Sequence, residues 1–181
     1  MCIRGIGIMN VDKYALNRGS SGVLVDSYSH VDGGMPFIAW SEFLSVGLTE
    51  VDEQHEKVVQ LINELHDCIR RGGADIVARV LGRIIKSIAF NFTTEEGLMM
   101  QHGFIYSSAH LDEHGRFIEK AVDLQNRFYT ERADIATEAM LLVDDWLYQH
   151  LMVSDKILGR HINAQARLTC PVGVVRMQSV H

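Results

Sequence analysis

Apolar residues recur at steps of three and four positions along four long segments of the chain, and Gly, Ser or Asp residues mark the breaks between them. This spacing is typical of α-helices with one buried face. The hydroxyl of Thr49 is expected to cap the first helix together with Asp52, and Gly103 is expected to end the second. The four predicted helices run from Thr49 to Arg71, from Asp75 to Gly103, from Ser107–Ser108 onward, and from Asp134 onward.

Short connections between long helices favour antiparallel neighbours. The sequence therefore predicts an all-α fold, an antiparallel up-down-up-down four-helix bundle with an irregular N-terminal arm. Residues 1–47 are rich in Gly and Ser, lack a sustained period and are expected to form the arm. The predicted domain division is an N-terminal extension over residues 1–37 and the bundle over residues 38–162. Residues 163–181 are expected to be either a frayed tail or a linker. Trp40 and Phe43 are expected to anchor the arm on the bundle.

Polar side chains interrupt the apolar stripes at a single level of the predicted bundle. At about 1.5 Å per residue, they fall early in the first and third helices and late in the second and fourth. In an antiparallel bundle these four places coincide. The spacing agrees, because 36 residues separate His55 from Asn91 and 36 residues separate His114 from His150. The interrupting residues are His55, Asn91, Glu95, His110, His114, His150 and Asp155.

The chemistry of this set predicts a metal site. A single histidine on an apolar stripe is more often a core residue satisfied by a neighbour, but four imidazoles and two carboxylates at one level are costly to bury unless cations pair with them. His110 and His114 are four residues apart and share a helix face, so they can hold one ion. His150 and Asp155 are five apart, about 140° around an α-helix, and one ion would not easily take both. We expect this carboxylate to bridge two ions.

The stretches around these residues resemble the bacteriohemerythrin family of oxygen-binding, non-haem di-iron bundles. The match covers about residues 38–161 and includes Trp40 with Gly47, DEQHEKVVQLINEL, FTTEEGLM, HLDEHGRF and WLYQHLMVSDKIL. The resemblance implies two iron ions, oxo- or hydroxo-bridged when oxidised. It also implies the ligands: His110, His114 and His150 on one iron, His55 on the other, and Glu95 and Asp155 as bridges between them.

One residue departs from the family pattern. The family has a second histidine on the iron held by His55, and here Asn91 stands in its place, which implies a vacant ligand position beside it. A carboxamide is a poor substitute for imidazole. We therefore expect O2 or small anions to bind at this iron, and we expect redox or gas sensing rather than O2 storage. The resemblance suggests a fused signalling output such as a diguanylate cyclase; the domain itself is expected not to be an enzyme.

Other functions stay open. An O2 storage or carrier protein is the nearest alternative. A di-iron oxidase or peroxide-handling enzyme belongs to a different class, and the absence of any Glu-x-x-His pair argues against it. A metal-free helical interaction domain and a mononuclear zinc site are further alternatives.

Composition narrows the class of protein and its partners. The chain has 181 residues, 47% of them hydrophobic, and a net charge of −6, so we expect one globular domain and no nucleic-acid partner. No apolar run reaches the roughly 20 residues that cross a bilayer, and no secretory signal is evident, so we expect a cytoplasmic protein without a membrane partner. Cys2, Cys68 and Cys170 suggest neither a disulfide framework nor a thiolate metal site.

Overall fold

Four helical rods make up the structure, a computed structural model that describes residues 36–131 and 134–169. The fourth rod is continuous and consists of α4, a π-helical segment and α5. The described residues contain no β-strand, and the predicted all-α, antiparallel four-helix bundle is confirmed. Predictions for residues 1–35 and 170–181 lie outside the described part of the chain. The helices are α1 (Thr49–Arg71), α2 (Ala74–His102), α3 (Ser107–Glu131), α4 (Ala136–Asp145), the π-helical segment (Trp146–Asp155) and α5 (Lys156–Thr169).

The start of α1 is held differently from the prediction. Leu48 precedes the helix and no side chain caps it, so the expected cap by Thr49 is wrong. The carboxylate of Asp52 instead reaches back to the incoming loop, where it accepts hydrogen bonds from the Val46 amide at 2.7 Å and the Ser45 hydroxyl at 2.7 Å. A carboxylate in the first turn of a helix is also favoured by the helix dipole. Asp52 thereby ties the loop to α1.

Two glycines permit the turns and close contacts at the end of the bundle nearest residue 103. Gly103 ends α2 in the left-handed conformation, with φ 59° and ψ 47°, and its amide donates to the Met99 carbonyl, as predicted for a C-terminal cap. Gly159 lies against the arm, where an added Cβ would come within 2.0 Å of the Val46 carbonyl oxygen. The arm can therefore pack directly on α5.

The arm is anchored by different residues from those expected. Trp40 is partly buried against the core, as predicted. Phe43, however, is 60% exposed, with the Lys156 ammonium 5.7 Å from its ring centre. A tight turn, closed by a hydrogen bond from the Leu44 amide to the Ser41 carbonyl, directs Leu44 inward instead. The prediction for Phe43 is wrong because an arm without periodic spacing gives no indication of which side chain faces the bundle.

Apolar side chains fill the bundle on both sides of the polar level. The smaller cluster, made of Met99, Phe104, Leu158 and Ile162, lies at the end where α2 terminates. Each fully buried side chain of this size stabilises the fold by about 1.5–3 kcal/mol. The polar level is therefore enclosed between two water-excluding layers. The larger cluster includes Val58, Ile62, Leu65, Leu81, Ile84, Ile88, Phe117, Leu124, Met140 and Val143.

The fourth rod departs from the regular α-helix that the sequence predicts. Ten residues from Trp146 to Asp155 form a π-helical segment, in which the repeating hydrogen bond spans five residues instead of four. Residues five apart therefore lie on one face. The expected separation of about 140° between His150 and Asp155 is wrong for this reason. Their Nε2 and Oδ1 atoms are 3.2 Å apart.

Among the described helices, none combines the length and the apolar character that crossing a bilayer requires.

Candidate metal centre

The structure brings the predicted polar residues together in the middle of the bundle. All of them are buried, with at most 4% of any residue exposed. Six of them supply imidazole or carboxylate groups to two adjoining clusters. Asn91 is connected to one of these clusters by its hydrogen bond to Gln54, which precedes His55 in the chain. The residues are His55 on α1, Asn91 and Glu95 on α2, His110 and His114 on α3, and His150 and Asp155 on the π-helical segment.

One group of side chains, the three-histidine cluster, consists of Glu95, His110, His114 and His150. Their candidate ligand atoms lie within 4.8 Å of one another. Glu95 Oε2 is 3.2 Å from the Nε2 atoms of both His110 and His114, and 3.5 Å from that of His150. This arrangement could hold one metal ion.

The other group, the one-histidine cluster, consists of His55, Glu95 and Asp155, whose candidate ligand atoms also lie within 4.8 Å of one another. His55 Nε2 is 3.5 Å from Glu95 Oε1 and 3.3 Å from Asp155 Oδ2. This group could hold a second ion.

Each carboxylate divides its two oxygens between the clusters. Glu95 directs Oε2 to the three-histidine cluster and Oε1 to His55. Asp155 directs Oδ2 to His55, while its Oδ1 lies 3.1 Å from His110 Nε2 and 3.2 Å from His150 Nε2. Both carboxylates are therefore placed to bridge two adjacent cations.

Two further carboxylates contact the three-histidine cluster from outside. Glu96 Oε1 is 2.9 Å from His114 Nδ1, and Glu113 Oε2 is 3.1 Å from His150 Nδ1. An imidazole that donates its Nδ1 hydrogen outward presents the Nε2 lone pair inward, which is the form that binds a metal. The sequence pattern assigns neither Glu96 nor Glu113 to the site, although Glu96 directly follows Glu95 and Glu113 directly precedes His114.

Several atoms of the centre lack a well-directed partner. The contacts among them measure 3.1–3.5 Å, yet Glu95 Oε1, both Asp155 oxygens and the Nε2 atoms of His55 and His150 are buried without a hydrogen bond to any residue that the structure describes. Buried polar atoms without partners are costly in protein interiors. Divalent cations would satisfy all of them at once, so the residues fit a two-metal group.

The carboxylates of the centre favour positive charge on its imidazoles. Burial alone would lower the pKa of His55, but the Asp155 and Glu95 carboxylates raise it to about 9. Burial likewise opposes the charged form of His150, yet Asp155 and Glu113 raise its pKa to about 10. For Glu95, burial would raise the pKa, and the four facing imidazoles hold it well below its usual range. The centre is therefore built to bind positive charge.

Asn91 is wholly buried four residues before Glu95, on the same face of α2. Its amide nitrogen donates to Gln54 Oε1 at 3.3 Å, and its oxygen Oδ1 has no hydrogen-bond partner among the described residues. Sequence reasoning singled out Asn91 but not Gln54, whose only signal was its place beside His55.

Aromatic rings line both clusters. The Phe92 ring stacks on the His114 imidazole, with centroids 3.7 Å apart and planes 8° from parallel. Trp146 meets His55 edge-on at 5.6 Å. These rings restrict the imidazoles and keep water from the centre.

Comparison with known proteins identifies the family. Residues 46–162 match the model of the hemerythrin HHE cation binding domain. The bacteriohemerythrin of Methylococcus capsulatus is 29% identical over 113 residues, covering 62% of this chain and 86% of that protein. The bacteriohemerythrin of Pseudomonas aeruginosa is 30% identical over 121 residues, covering 67% and 78%. The structure of wild-type hemerythrin is similar with a TM-score of 0.65 and 26% identity, covering 70% of this chain and 98% of that one. The chain therefore belongs to the hemerythrin HHE cation-binding domain family.

Proposed function

We propose that this domain binds two iron ions and responds to O2 or to redox state, with O2 or a small anion binding at the iron beside His55. The observation that carries the proposal is the division of the Glu95 and Asp155 oxygens between two clusters that share a buried, water-excluding chamber. Two irons bound there would supply one-electron redox steps and affinity for dioxygen.

In this proposal, His110, His114 and His150 would hold one iron, His55 would hold the other, and Glu95 and Asp155 would each offer one oxygen to both. Glu96 and Glu113 fix the imidazoles of His114 and His150 from outside. The two apolar layers exclude water, which strengthens the electrostatic interactions inside the chamber.

The ligand is proposed to bind on the side of Asn91. That corner has a neutral carboxamide where the family has an imidazole, so the iron there has fewer strong protein donors than its neighbour. A position of this kind favours exchange of O2 or a small anion over long retention. This property suits a sensor better than a carrier.

A signal would leave the centre along the fourth rod. Asp155 is the last residue of the π-helical segment, and α5 begins at the next residue and continues to Thr169. A change of charge at Asp155 would therefore act on the start of α5. We propose residues 38–162 as the binding domain, residues 1–37 and 163–181 as flanking segments, and a signalling output such as a diguanylate cyclase as the partner that α5 would influence.

The test begins with metal analysis of anaerobically purified protein, followed by spectra before and after admission of air. We expect two irons per chain, an oxo-bridge absorption band after oxidation, and a further spectral change on adding azide. Protein that carries no iron under reducing, iron-replete conditions would contradict the proposal.

The Asn91→His variant separates the sensor from the carrier. Restoring the imidazole is expected to lengthen the time for which the reduced protein retains O2. An unchanged retention time would refute the role given to Asn91. Repeated turnover of an added substrate would instead favour the oxidase alternative.

A further inference from the structure

The carboxamide of Asn91 is held in one orientation by a chain of hydrogen bonds. The Thr94 hydroxyl donates to the Phe90 carbonyl at 3.4 Å, and a backbone carbonyl can only accept. The Thr94 oxygen therefore accepts from Gln54 Nε2, at 3.0 Å. Because this bond uses the amide nitrogen of Gln54, its oxygen faces Asn91.

Gln54 Oε1 in turn accepts from the amide nitrogen of Asn91 at 3.3 Å. The oxygen Oδ1 of Asn91 is left buried with no hydrogen-bond partner in the described part of the chain. Asn91 lies one helical turn before Glu95, whose Oε1 also lacks a hydrogen-bond partner there and faces His55. A cation beside His55 would satisfy both oxygens.

The two metal positions are then offered different donor atoms. The three-histidine cluster provides three imidazole nitrogens with one oxygen each from Glu95 and Asp155. The one-histidine cluster provides the His55 nitrogen with Glu95 Oε1 and Asp155 Oδ2, and the oxygen of Asn91 is buried one helical turn before Glu95 without a hydrogen-bond partner among the described residues. Imidazole donors suit iron(II), whereas carboxylate and carbonyl oxygens suit harder ions such as manganese(II).

We infer that Asn91, oriented by Gln54, is an oxygen ligand at the position beside His55, and that this position binds a divalent cation more weakly and with less preference for iron(II) over manganese(II) than the three-histidine cluster does. The inference rests on the proposed two-metal centre. A neutral carboxamide is a weak ligand, so an incoming anion can displace it, and the position remains exchangeable.

Manganese(II) competition tests the donor set without measuring O2 binding. Metal-free protein is dialysed anaerobically against iron(II) with manganese(II) in excess, and both metals are counted per chain. The excess is needed because nitrogen and oxygen sites of this kind generally bind iron(II) more tightly than manganese(II). We expect wild-type protein to retain about one iron and about one manganese, and Asn91→His to retain mainly iron. Equal iron-to-manganese ratios in the two proteins would overturn the inference.

A second substitution at the same residue covers the case in which Asn91→His does not fold. Asn91→Asp keeps the size of the side chain and replaces the carboxamide by a carboxylate, a stronger oxygen donor. We expect this variant to bind manganese(II) at the position beside His55 more tightly than wild type does. No change in manganese(II) affinity would count against ligation by residue 91.

The role of Gln54 is tested by a matched pair of variants. Gln54→Leu removes the acceptor that orients Asn91. We expect the ion beside His55 to bind about 10-fold more weakly, while the ion in the three-histidine cluster is unaffected. Gln54→Glu keeps an acceptor oxygen for Asn91 and should retain most of the affinity. Equal affinity in Gln54→Leu and wild type would show that Gln54 does not orient the ligand.

The outcomes separate this inference from the proposed function. Protein that retains one iron and one manganese in the competition, but whose two-iron form neither binds O2 nor changes its spectrum on admission of air, would contradict the proposed function and leave the donor assignment standing. Protein that binds O2 but fills both positions with iron in the competition, whichever residue stands at position 91, would overturn the donor assignment and leave the proposed function standing.

Discussion

The two clusters share both bridging carboxylates yet differ in how their imidazoles are supported. In the three-histidine cluster, Glu96 and Glu113 contact the outer nitrogens of His114 and His150. In the one-histidine cluster, the outer nitrogen of His55 is buried without a hydrogen-bond partner among the described residues. Two of the three imidazoles on one side of the centre are therefore fixed from outside, whereas the outer nitrogens of His110 and His55 have no hydrogen-bond partner among the described residues.

This difference indicates how a symmetric bundle produces an asymmetric centre. Each rod contributes at the same level, but α3 contributes two histidines, whereas α1 contributes one. The side with more imidazoles and outer carboxylates is expected to bind its ion first and release it last. Four experiments test this difference between the clusters.

Glu95→Gln should abolish metal binding at both clusters, because Glu95 is a member of both. We expect loss of both ions and, in metal-free protein, destabilisation by about 3–5 kcal/mol, since the buried imidazoles lose their counter-charge. Metal counts and urea unfolding with a chelator measure the two effects. Glu119→Gln, an exposed change on α3, is the control. A variant that keeps either ion with wild-type affinity would contradict the shared role of Glu95.

Glu113→Gln should weaken one side only. Loss of the carboxylate that contacts His150 Nδ1 is expected to lower the affinity of the three-histidine cluster about 10- to 100-fold. The one-histidine cluster should change little. Anaerobic metal titration measures both steps, again with Glu119→Gln for comparison. Equal losses at the two positions would mean that the clusters are not separately supported.

Metal-free protein should lose stability at alkaline pH, because each cluster contains a histidine with a raised pKa. His55 and His150 have pKa values raised from 6.5 to about 9 and about 10. Because the folded-state values are the higher ones, the stabilisation is complete below pH 6.5 and is lost as pH rises through 9 to 10. The unfolding temperature should therefore fall across this window, and NMR titration should show both imidazoles keeping their protons well above pH 6.5.

Metal-loaded protein should not show this loss, because cations replace the protons. A metal-free protein whose unfolding temperature is constant from about pH 7 to about pH 10 would contradict the raised pKa values.

Phe92→Leu should have the smallest effect. Losing the stacked ring on His114 is expected to reduce binding at the three-histidine cluster by about 0.5–1.5 kcal/mol, with little change beside His55. Phe90→Leu is the matched control, since Phe90 is 63% exposed on the same helix. Metal titration of both variants checks the prediction, which fails if they behave alike.

The parts of the fold that depend on local signals could be predicted from the sequence. The ends of α1 follow from apolar periodicity and from the glycines after Arg71, and the end of α2 follows from Gly103. The convergence of the polar residues also follows, because a level along an antiparallel bundle depends only on chain length.

Features that depend on contacts between elements could not be predicted. The stretch from Trp146 to Asp155 contains no Gly or Pro that would mark a wider turn, so the sequence predicts an ordinary α-helical period through it. The contacts of Gln54 and Glu113 depend on how neighbouring helices are rotated, which periodicity gives only coarsely.

The wider turns of the fourth rod limit how its length can vary. In α3 the paired groups, His110 and His114, are four residues apart, whereas His150 and Asp155 achieve the same alignment with five. Deleting one residue between them would let an ordinary α-helix present the same pair. Inserting one would turn the aspartate away from its partners. The fourth rod thus has one residue more between these two groups than an α-helix needs. A one-residue deletion there should be tolerated better than a one-residue insertion.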